Sequence, residues 1–224
     1  MKQSTEKALK LIRAEKFAEA AGVLDRAISA EPDDPEGYIL FGNMLITAGQ
    51  PARSEAFFKK ALMLDAASAE AQFGYGNALS ESGAYEKALD HFEKAQVNGM
   101  NSGNLFYMIG LCAMHLDRAG QALASFQRAV ELDDRDTSAR FQYGLMLAKF
   151  GQLAPAEEQF KKVLTLVPRH ADAHYNLGVI AMYHHDPAGA RLHFKRALRQ
   201  NPKHLLAAHG IEQLKKKFPE RSEK

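Results

Sequence analysis

Glycine recurs at Gly42, Gly76, Gly110, Gly144 and Gly178, each 34 residues from the last, and this fixed step limits the chain to a repeat architecture. Two columns of small residues keep the same step: Ala20, Ser54, Ala88, Ala122, Ala156 and Ala190, then Ala27, Ala61, Ala95, Ala129, Val163 and Ala197. Between them runs a large apolar column of Leu24, Phe58, Phe92, Phe126, Phe160 and Phe194. Four columns in phase, without an insertion, read as a stacked helical solenoid of short helix pairs. In the second repeat, apolar residues at three- and four-residue steps predict one helix from about Glu36 to Ala48 and another from about Ala52 to Leu64.

The turns have their own punctuation. Gly49, Gly83 and Gly151 fall where the first helix of a pair must end, a place that suits a left-handed residue. Pro32, Pro168 and Pro202 close second helices. Small columns mark close helix crossings, and the large column fills the space the crossings leave. Six repeats follow, at 1–34, 35–68, 69–102, 103–136, 137–170 and 171–204. A tail from Leu205 to Lys224 carries Leu206, Ile211 and Leu214, which predict a capping helix. The whole chain, 1–224, is expected to form one solenoid. The 98–100 turn, with Gly99 and no proline, is a candidate hinge.

The third repeat, with Tyr75-Gly76, Leu79, Gly83, Tyr85, Ala88, Phe92 and Ala95, resembles the tetratricopeptide repeat. The resemblance covers nearly the whole chain and implies an all-α fold, a right-handed superhelical solenoid of six helix-turn-helix repeats plus the capping helix. Tyr38, Gln72, Phe106, Arg140 and His174 stand where the family often has tryptophan, and Ala66, Met100 and Asp134 replace its proline. The segment from Asn98 to Gly110 is similar to a narrower group of the family, the small cytoplasmic YrrB-type proteins of bacilli. That likeness implies a free-standing interaction module with no catalytic residues and no cofactor to carry over.

The same resemblance implies that first helices line a concave groove. Ile39, Phe73, Tyr107, Phe141 and Tyr175 occupy one groove position, four of them aromatic. Four residues on come Asn43, Asn77, Leu111, Leu145 and Val179, and the next step adds Ile46, Met114 and Met182. The expected groove is apolar, with amides toward its N-terminal half. An asparagine amide both donates and accepts, so Asn43 and Asn77 can bracket the backbone of an extended peptide. The family's carboxylate clamp is missing, because its lysine and arginine positions hold Thr5, Leu40, Glu70 and Gly74. The expected partner is a protein or peptide segment with apolar anchors. The rings could instead fill gaps between neighbouring first helices.

Composition narrows the alternatives. The 29 basic and 27 acidic residues leave a net charge of +2, too small for broad electrostatic steering. Nucleic acid is disfavoured, since the groove offers little positive charge beyond Arg13, Arg140 and Lys149 and phosphate contacts drive such binding. A single-stranded RNA binder is therefore the weaker alternative, and self-association into a homo-oligomer the stronger. The start lacks the apolar core of a signal peptide, and no run of about 18 apolar residues spans a membrane. One cysteine, Cys112, suits a reducing cytoplasm and a buried structural thiol. The late histidines, His170, His174, His184, His185 and His193, complete no recognisable metal-ligand spacing. No nucleophile–base or paired-carboxylate arrangement stands out, so no catalysis is expected.

Overall fold

The computed structural model describes residues 2–218, with side chains from Ser4 onward. Thirteen helices are found among the described residues: α1 (Lys2–Arg13), α2 (Phe17–Ala30), α3 (Pro35–Thr47), α4 (Pro51–Leu64), α5 (Ala69–Glu81), α6 (Tyr85–Val97), α7 (Gly103–His115), α8 (Ala119–Leu132), α9 (Thr137–Lys149), α10 (Leu153–Leu166), α11 (Ala171–Tyr183), α12 (Pro187–Gln200) and α13 (Leu205–Lys217). They form two compact units, one ending at Ala122 and the other beginning at Leu123. The charged tail residues Glu220, Arg221, Glu223 and Lys224 lie outside the described residues, as does Met1.

In the first unit Phe58 and Phe92 are fully buried, and the glycine column explains how. A Cβ on Gly42 would lie 2.7 Å from Phe58, and one on Gly76 would lie 2.5 Å from Phe92. The ring rests on the backbone of the first helix of its own repeat. Gly74, which belongs to no column, meets the other side of Phe58, where a Cβ would come within 2.3 Å. The second unit repeats this: Gly144 backs Phe160, and Phe194 is held between Gly178 and Gly210. Ala88 and Ala95 in the first unit, and Ala156, Val163, Ala190 and Ala197 in the second, are fully buried beside these rings. Capping helix α13 buries Ala207, Gly210 and Leu214, with Ile211 partly covered. Leu206, expected on that face, is instead exposed, because it sits in the first turn at the edge of the buried stripe.

The turn after each first helix has one geometry. Glu15, Gly49, Gly83, Asp117, Gly151 and His185 all have φ between 55° and 77°, again 34 residues apart. At Gly49 the motif closes with Gly49 N–H on the Ile46 carbonyl (2.9 Å) and Gln50 N–H on the Leu45 carbonyl (2.8 Å), a Schellman ending that satisfies carbonyls the helix leaves unpaired. The glycines were foreseeable; the three side-chain-bearing residues in the same strained place were not. The 98–100 turn closes in the same way, with Gly99 N–H on Gln96 and Met100 N–H on Ala95, both at 3.0 Å. Met100 then packs against the core of the first unit.

Where the family often has tryptophan, this chain holds its inter-repeat turns by hydrogen bonds. Tyr38 Oη donates to the Pro32 carbonyl (3.1 Å), Gln72 Nε2 to that of Ala66 (3.4 Å) and Arg140 Nη2 to that of Asp134 (2.5 Å). His174 hydrogen-bonds the Pro168 backbone in the same register. Each of the last three also reaches a polar residue on the second helix of its own pair. Gln72 Oε1 meets His91 Nδ1 at 2.6 Å, Arg140 Nη1 meets Gln159 Oε1 at 2.8 Å, and His174 Nδ1 meets His193 Nδ1 at 3.3 Å. Buried polar groups must be paired in this way to be tolerated. Phe106 has no donor to offer, and the turn before it is the one closed by Gly99 instead.

Candidate functional site

Helices α3, α5 and α7 carry the predicted groove residues of the first unit. Their N-termini are fixed by side-chain caps: Asp34 accepts from Glu36 N–H (2.8 Å), Ser68 from Ala71 N–H (3.2 Å) and Ser102 from Leu105 N–H (3.2 Å). Such caps satisfy donors that the first turn leaves free. Asn43 and Ile46 from α3 and Phe73 and Asn77 from α5 line one open cavity of about 400 Å³. Thr47, Glu70 and Met100 complete its wall. These last three were not among the predicted site residues. Glu70 was visible only as a lost clamp position, and Met100 only as a lost proline. Ile39 is half-buried against the core, Tyr107 and Leu111 are half-buried, and Met114 is exposed.

Within the cavity Phe73 leans its inner edge on Phe92, with ring centroids 5.6 Å apart. Asn77 Oδ1 is buried without a hydrogen-bond partner, and Asn43 is exposed. Glu70 is exposed and makes no ion pair among the described residues. Beyond it, Thr5 Oγ1 donates to Glu36 Oε1 at 3.3 Å. The three helices α3, α5 and α7 contain Glu36, Glu70 and Glu81 but neither lysine nor arginine. Cations of this unit sit on α1, as Lys7, Lys10 and Arg13, and on second helices, as Arg53, Lys59 and Lys60 on α4 and Lys87 and Lys94 on α6.

In the second unit the same positions are furnished differently. Phe141 leans on Phe160 (5.7 Å) and is also covered by His170 (4.7 Å). Tyr175 leans on Phe194 (5.8 Å) and is covered by His204 (5.0 Å). Both histidines are helix caps, accepting from Ala173 N–H and Ala207 N–H through Nδ1 at 3.2 Å each. His204 Nε2 also lies 3.2 Å from Asp172 Oδ1, without a hydrogen bond between them. Leu145 and Met182 are half-buried and Val179 is exposed. The rings here belong as much to internal packing as to a surface.

Other sequence candidates resolve into structure. Arg140, counted among the groove's positive charges, is buried; its guanidinium holds Gln159 and the Asp134 carbonyl and does not face outward. Cys112 is buried, 3.5 Å from Ser80 Oγ, and burial pushes its thiol pKa up, away from the reactive thiolate. Burial is also the main cause that lowers the pKa of His174 and His193, with each other's ring and Arg196 adding to it in the second. No group of three or more potential metal ligands converges among the described residues. Nor is any helix there long and apolar enough to cross a membrane.

Family models for the tetratricopeptide repeat match residues 5–69, 107–169, 45–98 and 171–204. Among solved structures the chain is similar to YrrB, a tetratricopeptide protein with an unusual peptide-binding site. Identity is 41% over 84% of this chain and 97% of that one, with a TM-score of 0.75. It shares its fold with pilF of Pseudomonas aeruginosa (18% identity, 95% of this chain, 96% of that one, TM-score 0.85). The same holds for MamA of Desulfovibrio magneticus RS-1 (24% identity, 75% of this chain, 96% of that one, TM-score 0.64). No curated protein matches the chain.

Proposed function

The chain belongs to the tetratricopeptide repeat family, and on that premise we propose that it is a non-catalytic cytoplasmic scaffold whose first helices hold a segment of a partner protein. The observation that carries this reading is the cavity joining Asn43, Ile46, Phe73 and Asn77. It sets an apolar floor beside two amides that can pair with peptide backbone, and it lies on first helices, where the family resemblance puts the binding surface. YrrB, at 41% identity, is itself a peptide-binding member of the family. Within the second unit, Leu145, Val179 and Met182 offer further apolar contact around the covered rings of Phe141 and Tyr175.

A photo-crosslinking amino acid placed at Asn43 or Thr47 in the native host tests this. Crosslinks to another protein should form there and not from Met63 or Val97, which are exposed on second helices. Crosslinks only from Met63 or Val97 would move the interface off the groove. Crosslinks to a second copy of the chain would favour self-association, a reading supported by the exposure of Leu205 and Leu206 at the start of α13.

A further inference from the structure

We infer that the cavity of the first unit selects a peptide segment in which a lysine or arginine neighbours an apolar residue. This rests on the groove reading above and adds the charge of the occupant. The segregation of charge is the ground for it. Helices α3, α5 and α7, which stand beside the cavity, carry three glutamates and no lysine or arginine; the cations of this unit lie on α1 and on its second helices. Glu70 lies on the cavity wall with no cation paired to it among the described residues, beside the apolar surface of Phe73, Ile46 and Met100. The Asn77 side chain lines the same cavity, its amide oxygen buried and unpaired among the described residues.

These groups divide the work of recognition. An apolar side chain lies on Phe73 between Ile46 and Met100. Asn43 and Asn77 pair with the extended backbone, and the cationic side chain reaches Glu70. This reverses the polarity of a clamp for acidic termini: an acidic peptide would bring its carboxylates against Glu70, and like charges across an interface suppress the wrong partner.

The test is selection of a displayed random decapeptide library on the full chain, followed by titration of the enriched peptides. Lysine or arginine next to a leucine, isoleucine, methionine or aromatic residue should be enriched. For such a peptide Glu70→Gln should weaken binding by about 2- to 5-fold, the range of an exposed ion pair. Glu70→Lys, at the same exposed position, should weaken it about tenfold or more and shift selection toward acidic peptides. Enrichment of acidic or uncharged peptides, or indifference to both Glu70 variants, overturns the inference and leaves the groove reading standing. Binding that also ignores Phe73→Ala and Asn77→Ala, in protein that retains its helical circular dichroism, overturns the groove reading as well. Absence of any enrichment counts against both.

Discussion

Phe73 in the first unit and Phe141 and Tyr175 in the second hold the same place in their repeats, yet they are finished differently. Each leans on the buried phenylalanine of its own helix pair at nearly the same distance, 5.6, 5.7 and 5.8 Å. Over Phe141 and Tyr175 the cap of the next first helix is a histidine, and its imidazole lies on the ring. The cap that follows Phe73 is Ser102, which accepts from Leu105 N–H and has no ring to lay on Phe73. Among the described residues Phe73 has no second ring on it. One substitution at a cap therefore decides whether a groove aromatic is surface or packing. The packing reading of this column describes the second unit, while Phe73 of the first is the ring left uncovered for the proposed groove.

The comparison holds only if the framework beneath it is the same in both units. Phe92→Ala and Phe160→Ala should each lose about 3–5 kcal/mol, the range for emptying a core site of this size. Both rings are fully buried on a glycine of their own repeat. Urea unfolding of the two variants checks this, and a much smaller loss at one ring would mean that the units are built differently.

Acid comes next and should separate the units. His174 and His193 face each other at 3.3 Å in the second unit, and burial lowers the pKa of His91 in the first. With folded values below the ordinary 6.5, the unfolded chain binds more protons, so stability is intact above about pH 6.5 and falls as the pH drops below it. Amide exchange, corrected for intrinsic rates, should show the second unit losing more protection between pH 7.5 and 5.5. Equal losses would deny the histidine pair that role. A His193→Gln variant, which keeps a hydrogen-bonding partner for His174, should lessen the difference.

The covered rings then predict a smaller contrast. Tyr175→Ala and Phe141→Ala should each cost about 0.5–1.5 kcal/mol more stability than Phe73→Ala, the worth of one extra aromatic contact. Peptide binding should move the other way and suffer most at Phe73. Installing the second unit's cap in the first, by Ser102→His, should cover Phe73 and weaken that binding with little change in the melting temperature. If Ser102→His leaves binding unchanged, the cap does not control access to the ring.

Much of this architecture was legible because sterics repeat strictly. A ring lying on a helix backbone demands glycine in every repeat, so Gly42, Gly76, Gly144 and Gly178 stood in register with their phenylalanines. Gly74 and Gly210 serve the same rings from the neighbouring repeat but recur nowhere else, so no column announced them. The polar ladder escaped notice for a related reason. Its geometry repeats, with partners 19 residues apart, while its chemistry changes from glutamine–histidine to arginine–glutamine to histidine–histidine. Reading the tryptophan column for donors, and not for bulk, would have found it. Of the expected groove residues, Asn43, Ile46, Phe73 and Asn77 line one cavity. The covering of Phe141 and Tyr175 was hidden, because histidine is not among the usual capping residues.

The left-handed ladder offers the finest test. Glu15 and Asp117 in the first unit and His185 in the second hold φ of 56°, 55° and 57°, where the other three turns use glycine. A Cβ in this conformation crowds the neighbouring carbonyl, at roughly 1 kcal/mol per residue, with aspartate tolerating it better than most. Part of that gain is returned, because glycine also gives the unfolded chain more freedom. Glu15→Gly and His185→Gly should therefore each stabilise by about 0.5–1 kcal/mol, and Asp117→Gly by less. His185→Gly is the most informative of the three. It should raise the protection of the second unit in hydrogen exchange while peptide affinity at the Phe73 cavity stays the same. A change in that affinity would mean the site of the first unit depends on the second, and the separation drawn between the two rings would have to be abandoned.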